Sequence, residues 1–120
     1  AASSLFLEAQ IANCSFTNAL LTNALFNDAT ITAGDFTGAD LRQSIWQRAS
    51  CSGTTFERAN LAEADMSHAD LTMCNFTGAD LYRTKLHAIT EDRTLFGPGR
   101  ALALGTDEEL ARAESFQPKY

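Results

Sequence analysis

Basic residues are scarce in this sequence. Nine Lys and Arg stand against fifteen Asp and Glu, for a net charge of -6. That balance excludes a basic nucleic-acid-binding surface as the default reading. Long apolar runs are missing too: no stretch reaches the roughly eighteen residues that a membrane-spanning helix needs, so membrane insertion is not expected. No basic segment is followed by an apolar one in the manner of a signal peptide. The chain opens Ala1-Ala2-Ser3-Ser4 without a Met, which reads as a processed form or a piece of something longer. Proline (2), tryptophan (1) and cysteine (3) are all rare. The rest is ordinary. Of 120 residues, 45% are hydrophobic and 20% charged, as in one soluble folded domain.

A strict order lies under this ordinary composition. Every fifth residue from Phe6 to Leu86 is apolar: Phe6, Ile11, Phe16, Leu21, Phe26, Ile31, Phe36, Leu41, Trp46, Cys51, Phe56, Leu61, Met66, Leu71, Phe76, Leu81 and Leu86. The residue two places earlier is always small, from Ser4 to Thr84. A helix needs apolar residues at 3.6 spacing and a strand at 2.0. Period five in either would walk the apolar set around the element and bury nothing. The remaining solution is a chain that turns a corner every five residues, with one small and one large side chain inward. Such coils bury their core only against their neighbours, which makes a solenoid.

At spacing twenty the frame sorts further. Phe16, Phe36, Phe56 and Phe76 share one column, and Leu21, Leu41, Leu61 and Leu81 another. Phe6, Phe26, Trp46, Met66 and Leu86 share a third, and Ile11, Ile31, Cys51 and Leu71 a fourth. Four fives make one coil of four sides, with like stacked over like. Trp46 and Cys51, the largest and smallest of the large class, are adjacent corners and are expected to trade volume inside a close-packed core.

The segments GADLR (38–42), RANLA (58–62), EADMS (63–67), HADLT (68–72) and GADLY (78–82) resemble the A-D/N-L-x-x unit of the pentapeptide repeat family. The resemblance implies an all-β fold: a right-handed quadrilateral parallel β-helix. It also implies a role in protein interaction. Some members resemble a DNA duplex in shape and charge and protect type II topoisomerases, and some dimerise through their C-terminal ends. The family's Asp or Asn before the large residue is present at Asp35, Asp40, Asn60, Asp65, Asp70, Asn75 and Asp80. It is lost at Leu5, Leu20, Leu25 and Ile45.

Residues 1–89 are therefore expected to form a solenoid of about four coils, about 20 Å tall at the spacing of parallel strands. Residues 90–120 are expected to form a C-terminal capping turn, a short helix and a tail. The frame stops after Leu86, because Glu91 stands where an apolar residue is due. Leu95, Phe96, Leu102 and Leu104 flank the turn signal Gly97-Pro98-Gly99 and are expected to fold over the last coil. Thr106 with Glu109 reads as a capping box for a helix at about 107–115, with Leu110, Ala111, Ala113 and Phe116 on its apolar side.

Chemistry is thin. Cys14 and Cys74 fall in one inward column about 14 Å apart, beyond the roughly 7 Å reach of a disulfide. Three free, buried thiols are expected, as in a reducing, cytoplasmic compartment. His68 and His87 read as solvated surface, with no metal-ligand spacing and no cofactor motif. No G-x-S-x-G context and no phosphate loop complete with Lys is present. A narrow stacked coil fills its own interior and leaves no cleft for a carboxylate pair, so an enzyme is not expected.

Surface remains. Leu5, Leu25 and Ile45 form one outward column, with Leu20 on the neighbouring side, and an exposed apolar patch tends to mark a contact site. A lost segment packing there, or mere tolerance, are the alternatives. Protein partnership or self-association through residues 1–45 is the reading favoured. Asp35, Asp40, Asp65, Asp70 and Asp80 are the acids of the alternative duplex mimic. Over residues 4–88, however, nine acids are interleaved with five bases. A duplex of that height carries about 12 charges.

Overall fold

The computed structural model describes residues 4–115. The chain climbs in a four-sided coil, and each side pairs in parallel with the side twenty residues later. The ladders run Leu5–Leu25–Ile45–Asp65–Lys85, Gln10–Thr30–Ser50–Asp70–Thr90, Ser15–Asp35–Thr55–Asn75–Leu95 and Leu20–Asp40–Asn60–Asp80. Most contacts are single bridges. Among the described residues, only β1 (Gln10–Ala12) and β2 (Thr30–Thr32) are long enough to be strands.

Most corners turn in the same way. The large residue's carbonyl accepts from the amide three residues on, as in Ala39 N to Phe36 O at 3.0 Å. The residue before that amide has positive φ, from Glu8 (58°) to Arg93 (54°) at steps of five. An i to i+3 bond with positive φ at i+2 is the type II pattern. Most residues resist that region. Gly38, Gly53 and Gly78 occupy it without strain, and Asn13, Asn18, Asn23 and Asp28 at little cost. The backbone between corners is spent on the coil above, for example Phe36 N to Thr55 O at 2.9 Å and Thr55 N to Gly34 O at 3.0 Å.

The inward residues stack in register. Rings of Phe16, Phe36, Phe56, Phe76 and Phe96 lie parallel, with centroids 4.8, 5.3, 4.8 and 5.1 Å apart. Phe6, Phe26 and Trp46 make a second stack at 4.7 and 4.0 Å. The two stacks meet edge to face, as between Trp46 and Phe56 at 5.3 Å and 79°. Trp46 is fully buried, as is Cys51. Its indole Nε1 donates to Ser44 Oγ at 2.8 Å, and Ser44 Oγ donates to Leu41 O at 2.6 Å. A buried indole N–H needs such a partner, which accounts for Ser in place of Ala in the small column at position 44.

The top departs from expectation. The frame does not end at Leu86. Glu91 is exposed, but Phe96 returns twenty residues after Phe76 and is buried on it. Leu95, Leu102 and Leu104 remain exposed, and Ala103 is the residue that packs onto the core. A 3₁₀ turn, Pro98–Leu102, crosses over the coil end. A helix, α1 (Glu108–Ser115), follows. Its cap is Asp107: Oδ1 accepts from Leu110 N at 3.0 Å. Thr106 is not the cap, because its hydroxyl takes the Ala88 amide at 3.2 Å. Phe116 lies outside the described residues.

The bottom coil packs less well, because the described residues place no coil beneath it. Phe6, Ile11 and Phe16 are only partly buried. Cys14 is exposed, against the expectation of a buried thiol. Cys51 and Cys74 are free and buried, and burial pushes both thiols up, Cys74 to about 12. Such thiols are inert as nucleophiles at neutral pH.

Phe56 sits mid-stack, between Phe36 and Phe76 and against the edge of Trp46. Phe56→Ala should cost about 3–5 kcal/mol through lost transfer and cavity terms. Urea unfolding of the variant against the parent measures this.

Candidate functional site

The residue before each large core residue decides what each side of the coil does. Where it is Asp or Asn, its Oδ1 accepts the amide two residues on. Asp35 takes Thr37 N at 2.9 Å, Asp65 takes Ser67 N at 2.9 Å, and Asp70 takes Thr72 N at 3.0 Å. Asp80 takes Tyr82 N at 3.0 Å, and Asp40 takes Arg42 N at 3.3 Å. Asn75 and Asn60 do the same for Thr77 and Ala62. These are Asx turns, the local bonding for which Asp and Asn are suited. The acids proposed to mimic a duplex are thus engaged in holding corners. Asp40 is further clamped by the Arg42 guanidinium at 2.7 Å. Asp65 accepts from Gln47 Nε2 at 2.8 Å.

Where that residue is apolar, the corner has no such bond. Leu5, Leu25 and Ile45 stand one above another on a single ladder. Leu5 is 69% exposed, while Leu25 and Ile45 are half-buried. Leu20 is 66% exposed and belongs to the next ladder, below Asp40, Asn60 and Asp80. The structure therefore brings Leu5, Leu25 and Ile45 together, with Leu20 around a corner.

The same face carries a second feature higher up, where the ladder continues through Asp65 and Lys85 to Leu104. Here α1 lies beside the solenoid. The groove between them has a volume of about 750 Å³ and includes Gln47, Arg48, Asp65, Lys85, Leu110 and Glu114 in its lining. This external groove was not anticipated.

His68 and His87 meet in that groove. The expectation that both are solvated surface is corrected: His87 is buried, with 5% of its surface exposed. The ladder sets the pair, because His68 N donates to the His87 carbonyl at 2.9 Å. Their rings are 5.2 Å apart and nearly perpendicular. Glu114 reaches both from α1, with Oε1 2.7 Å from His87 Nε2 and Oε2 2.9 Å from His68 Nε2. His87 and then His68 hold the Glu114 carboxyl below the usual carboxylate range by hydrogen bonding. On its other side, His87 Nδ1 accepts from the Asp107 amide at 3.1 Å. One buried imidazole thus ties both ends of α1 to the solenoid. A sequence signal existed: His68 and His87 are nineteen apart, one short of a full coil, which makes them diagonal neighbours. Where α1 would dock was not legible.

Asp35 gives a direct test of the corner bonds. Thr37, through its hydroxyl and then its amide, holds the Asp35 carboxyl below its ordinary value of 3.8. A depressed folded value contributes stability above that range, and the contribution is lost as pH falls through the folded value. Asp35→Ala should cost about 1 kcal/mol at pH 7. Asp35→Asn keeps the Oδ1 acceptor and should cost less, with a shallower loss of stability below about pH 4. Denaturant melts of the three proteins at pH 7 and pH 3 measure both effects.

Comparison with known proteins agrees with this geometry. The family model described as pentapeptide repeats matches in 8 copies, over residues 6–43 and 49–87. The gap between them, residues 44–48, includes Ile45 and Trp46, where an apolar residue replaces the corner acid and an indole fills the core. A crystal structure of the pentapeptide repeat protein Rfr23 from the cyanobacterium Cyanothece 51142 superposes with a TM-score of 0.73 at 27% identity. The match covers 74% of this chain and 61% of that one, so the chain spans less than two thirds of that relative's length. A pentapeptide repeat protein of the Arabidopsis thaliana thylakoid lumen matches at 30% identity and TM-score 0.31, over 62% of this chain and 55% of that one. QnrB1, a plasmid-mediated fluoroquinolone resistance protein, matches at 15% identity and TM-score 0.41, over 87% and 66%. No curated protein sequence is similar enough to count as a relative. No helix of the described residues is long and apolar enough to cross a membrane. With its repeat units matched over more than half its length, the chain belongs to the pentapeptide repeat family.

Proposed function

We propose that this chain is a non-enzymatic protein-interaction module. It docks a protein partner, or a second copy, through the face that carries Leu5, Leu25 and Ile45. One observation carries the reading: on that ladder a large apolar residue stands on three successive coils at the position where Asp or Asn holds seven other corners. Giving up a corner bond to place Leu at a surface position has no benefit for the isolated coil. It does benefit an interface, where burying an apolar side chain contributes roughly 1.5–3 kcal/mol. A backbone held by stacked coils also keeps the docking groups in place before binding, which lowers the ordering cost of association.

The duplex-mimic reading, with a type II topoisomerase as partner, is weaker. Its acids accept corner amides, and Asp40 is neutralised by Arg42. The likeness to QnrB1 is too low to add to it. Cytoplasmic residence follows only from the expectation of reduced thiols.

Two variants separate the apolar face from the C-terminal end. Light scattering should show Leu25→Asp/Ile45→Asp losing the self-association or partner binding of the parent. A truncation after Thr106, which removes α1, should retain it. A monomeric truncation beside an associated double variant would place the interface at the C-terminal end. A duplex mimic should be indifferent to the Leu25→Asp change.

A further inference from the structure

We propose that His68, His87 and Glu114 bind one zinc-class divalent ion, which fastens α1 to the solenoid face. Three observations converge on this. The donors come from three separate stretches of chain, yet their ligating atoms all lie within 4.8 Å of one another. Both histidines present Nε2 to the carboxylate, at 2.7 and 2.9 Å, as two imidazoles and a carboxylate sharing one ion would. The ring centres are 5.2 Å apart. Two imidazoles on one tetrahedral zinc, with Zn–N bonds of about 2.0–2.1 Å, place their ring centres about 5 Å apart.

The donor set selects the metal. Two imidazoles with one carboxylate suit zinc and the later first-row ions. Calcium and magnesium prefer all-oxygen sites. Three protein ligands leave a fourth position, which opens on the groove and would take water. Asp65 and Asp107 line the groove beside Lys85 and Arg48, so the cation meets both signs of charge around Glu114.

Two adjustments come with the ion. The N···O separations must open to about 3.3 Å, the edge of a tetrahedron with zinc-length bonds. The half-exposed Glu114 side chain can make that shift. His87 must also change tautomer. With Nδ1 accepting the Asp107 amide, its proton sits on Nε2. Zinc takes Nε2, so the proton moves to Nδ1, which becomes a donor, and the Asp107 amide gives up its bond to the ring. A ligating histidine normally donates from its other nitrogen in this way. This rearrangement lowers the affinity relative to a preformed site but leaves the ligand set intact.

The test titrates the untagged, chelator-stripped full chain with zinc chloride, by calorimetry and by competition with a chromogenic chelator. One ion per chain is expected, and zinc should slow tryptic cleavage after Arg112 in α1. His68→Gln and Glu114→Gln should each weaken zinc binding by about tenfold or more. Glu114→Gln retains an oxygen acceptor, and far-UV circular dichroism checks that both variants are folded. Cys14→Ser, which removes the exposed thiol, should bind as the parent does. Failure of the parent to bind zinc stoichiometrically at tens of micromolar would overturn the proposal. So would parent-like affinity in both the His68 and Glu114 variants, or loss of binding in Cys14→Ser alone.

Discussion

The coil-to-coil backbone ladder is the interaction on which everything else depends. Parallel strands pair about 4.8 Å apart. That spacing is also close to the contact distance of stacked aromatic rings, seen here at 4.0 to 5.3 Å. A chain that pairs residue i with residue i+20 must therefore place like over like, and a Phe column packs as a continuous stack. The ladder's register is what makes a period of five in sequence into four walls in space. It also fixes the surface, because each outward residue stands directly above the one twenty before it.

Within that frame the corner residue sets a choice. Asp or Asn before the core residue gives the turn an internal bond, as at Asp35 and Asp70. Leu or Ile gives the surface an apolar group and leaves the turn to the ladder and its i to i+3 backbone bond. The lower three coils of one face take the second option and the coil above takes the first, at Asp65. The α1 groove spans that coil and reaches Gln47 and Arg48 on the coil below. Apolar stripe and histidine-carboxylate cluster therefore share one wall, so an event at α1 occurs beside the proposed docking face.

Most of the fold could be read from the sequence, because a solenoid's contacts are written at fixed spacings. Period five gave the core, and period twenty gave the columns. The inward Trp46 and the outward Leu5–Leu25–Ile45 ladder followed from the same count, and a helix near 107–115 from its capping residues. What escaped was whatever leaves the repeat. Phe96 re-enters the frame across the single irregular side at Glu91, and one missing apolar residue hid it. Asp107 and Thr106 both offer a capping oxygen, and the choice between them depends on the Ala88 amide nearby in space. Cys14 lies in an inward column, but inwardness needs a coil on both sides. His87 sits on an outward position, and only the docking of α1 buries it. Docking of an eight-residue helix is a tertiary event with no period to announce it.

The central claim is that the corner residue, not the ladder, distinguishes the apolar wall from the rest. Amide-resolved hydrogen exchange of the full chain tests it most directly. The amides of Thr37, Ser67 and Thr72 are bonded to Asp35, Asp65 and Asp70, whereas no such bond reaches Asn27 or Gln47 behind Leu25 and Ile45. The account predicts slow exchange at the first three and fast exchange at the other two. The ladder amides Phe26 and Trp46, each beside a fast site, should exchange slowly. Equal protection of Asn27 and Gln47 with Thr37 and Ser67 would contradict it.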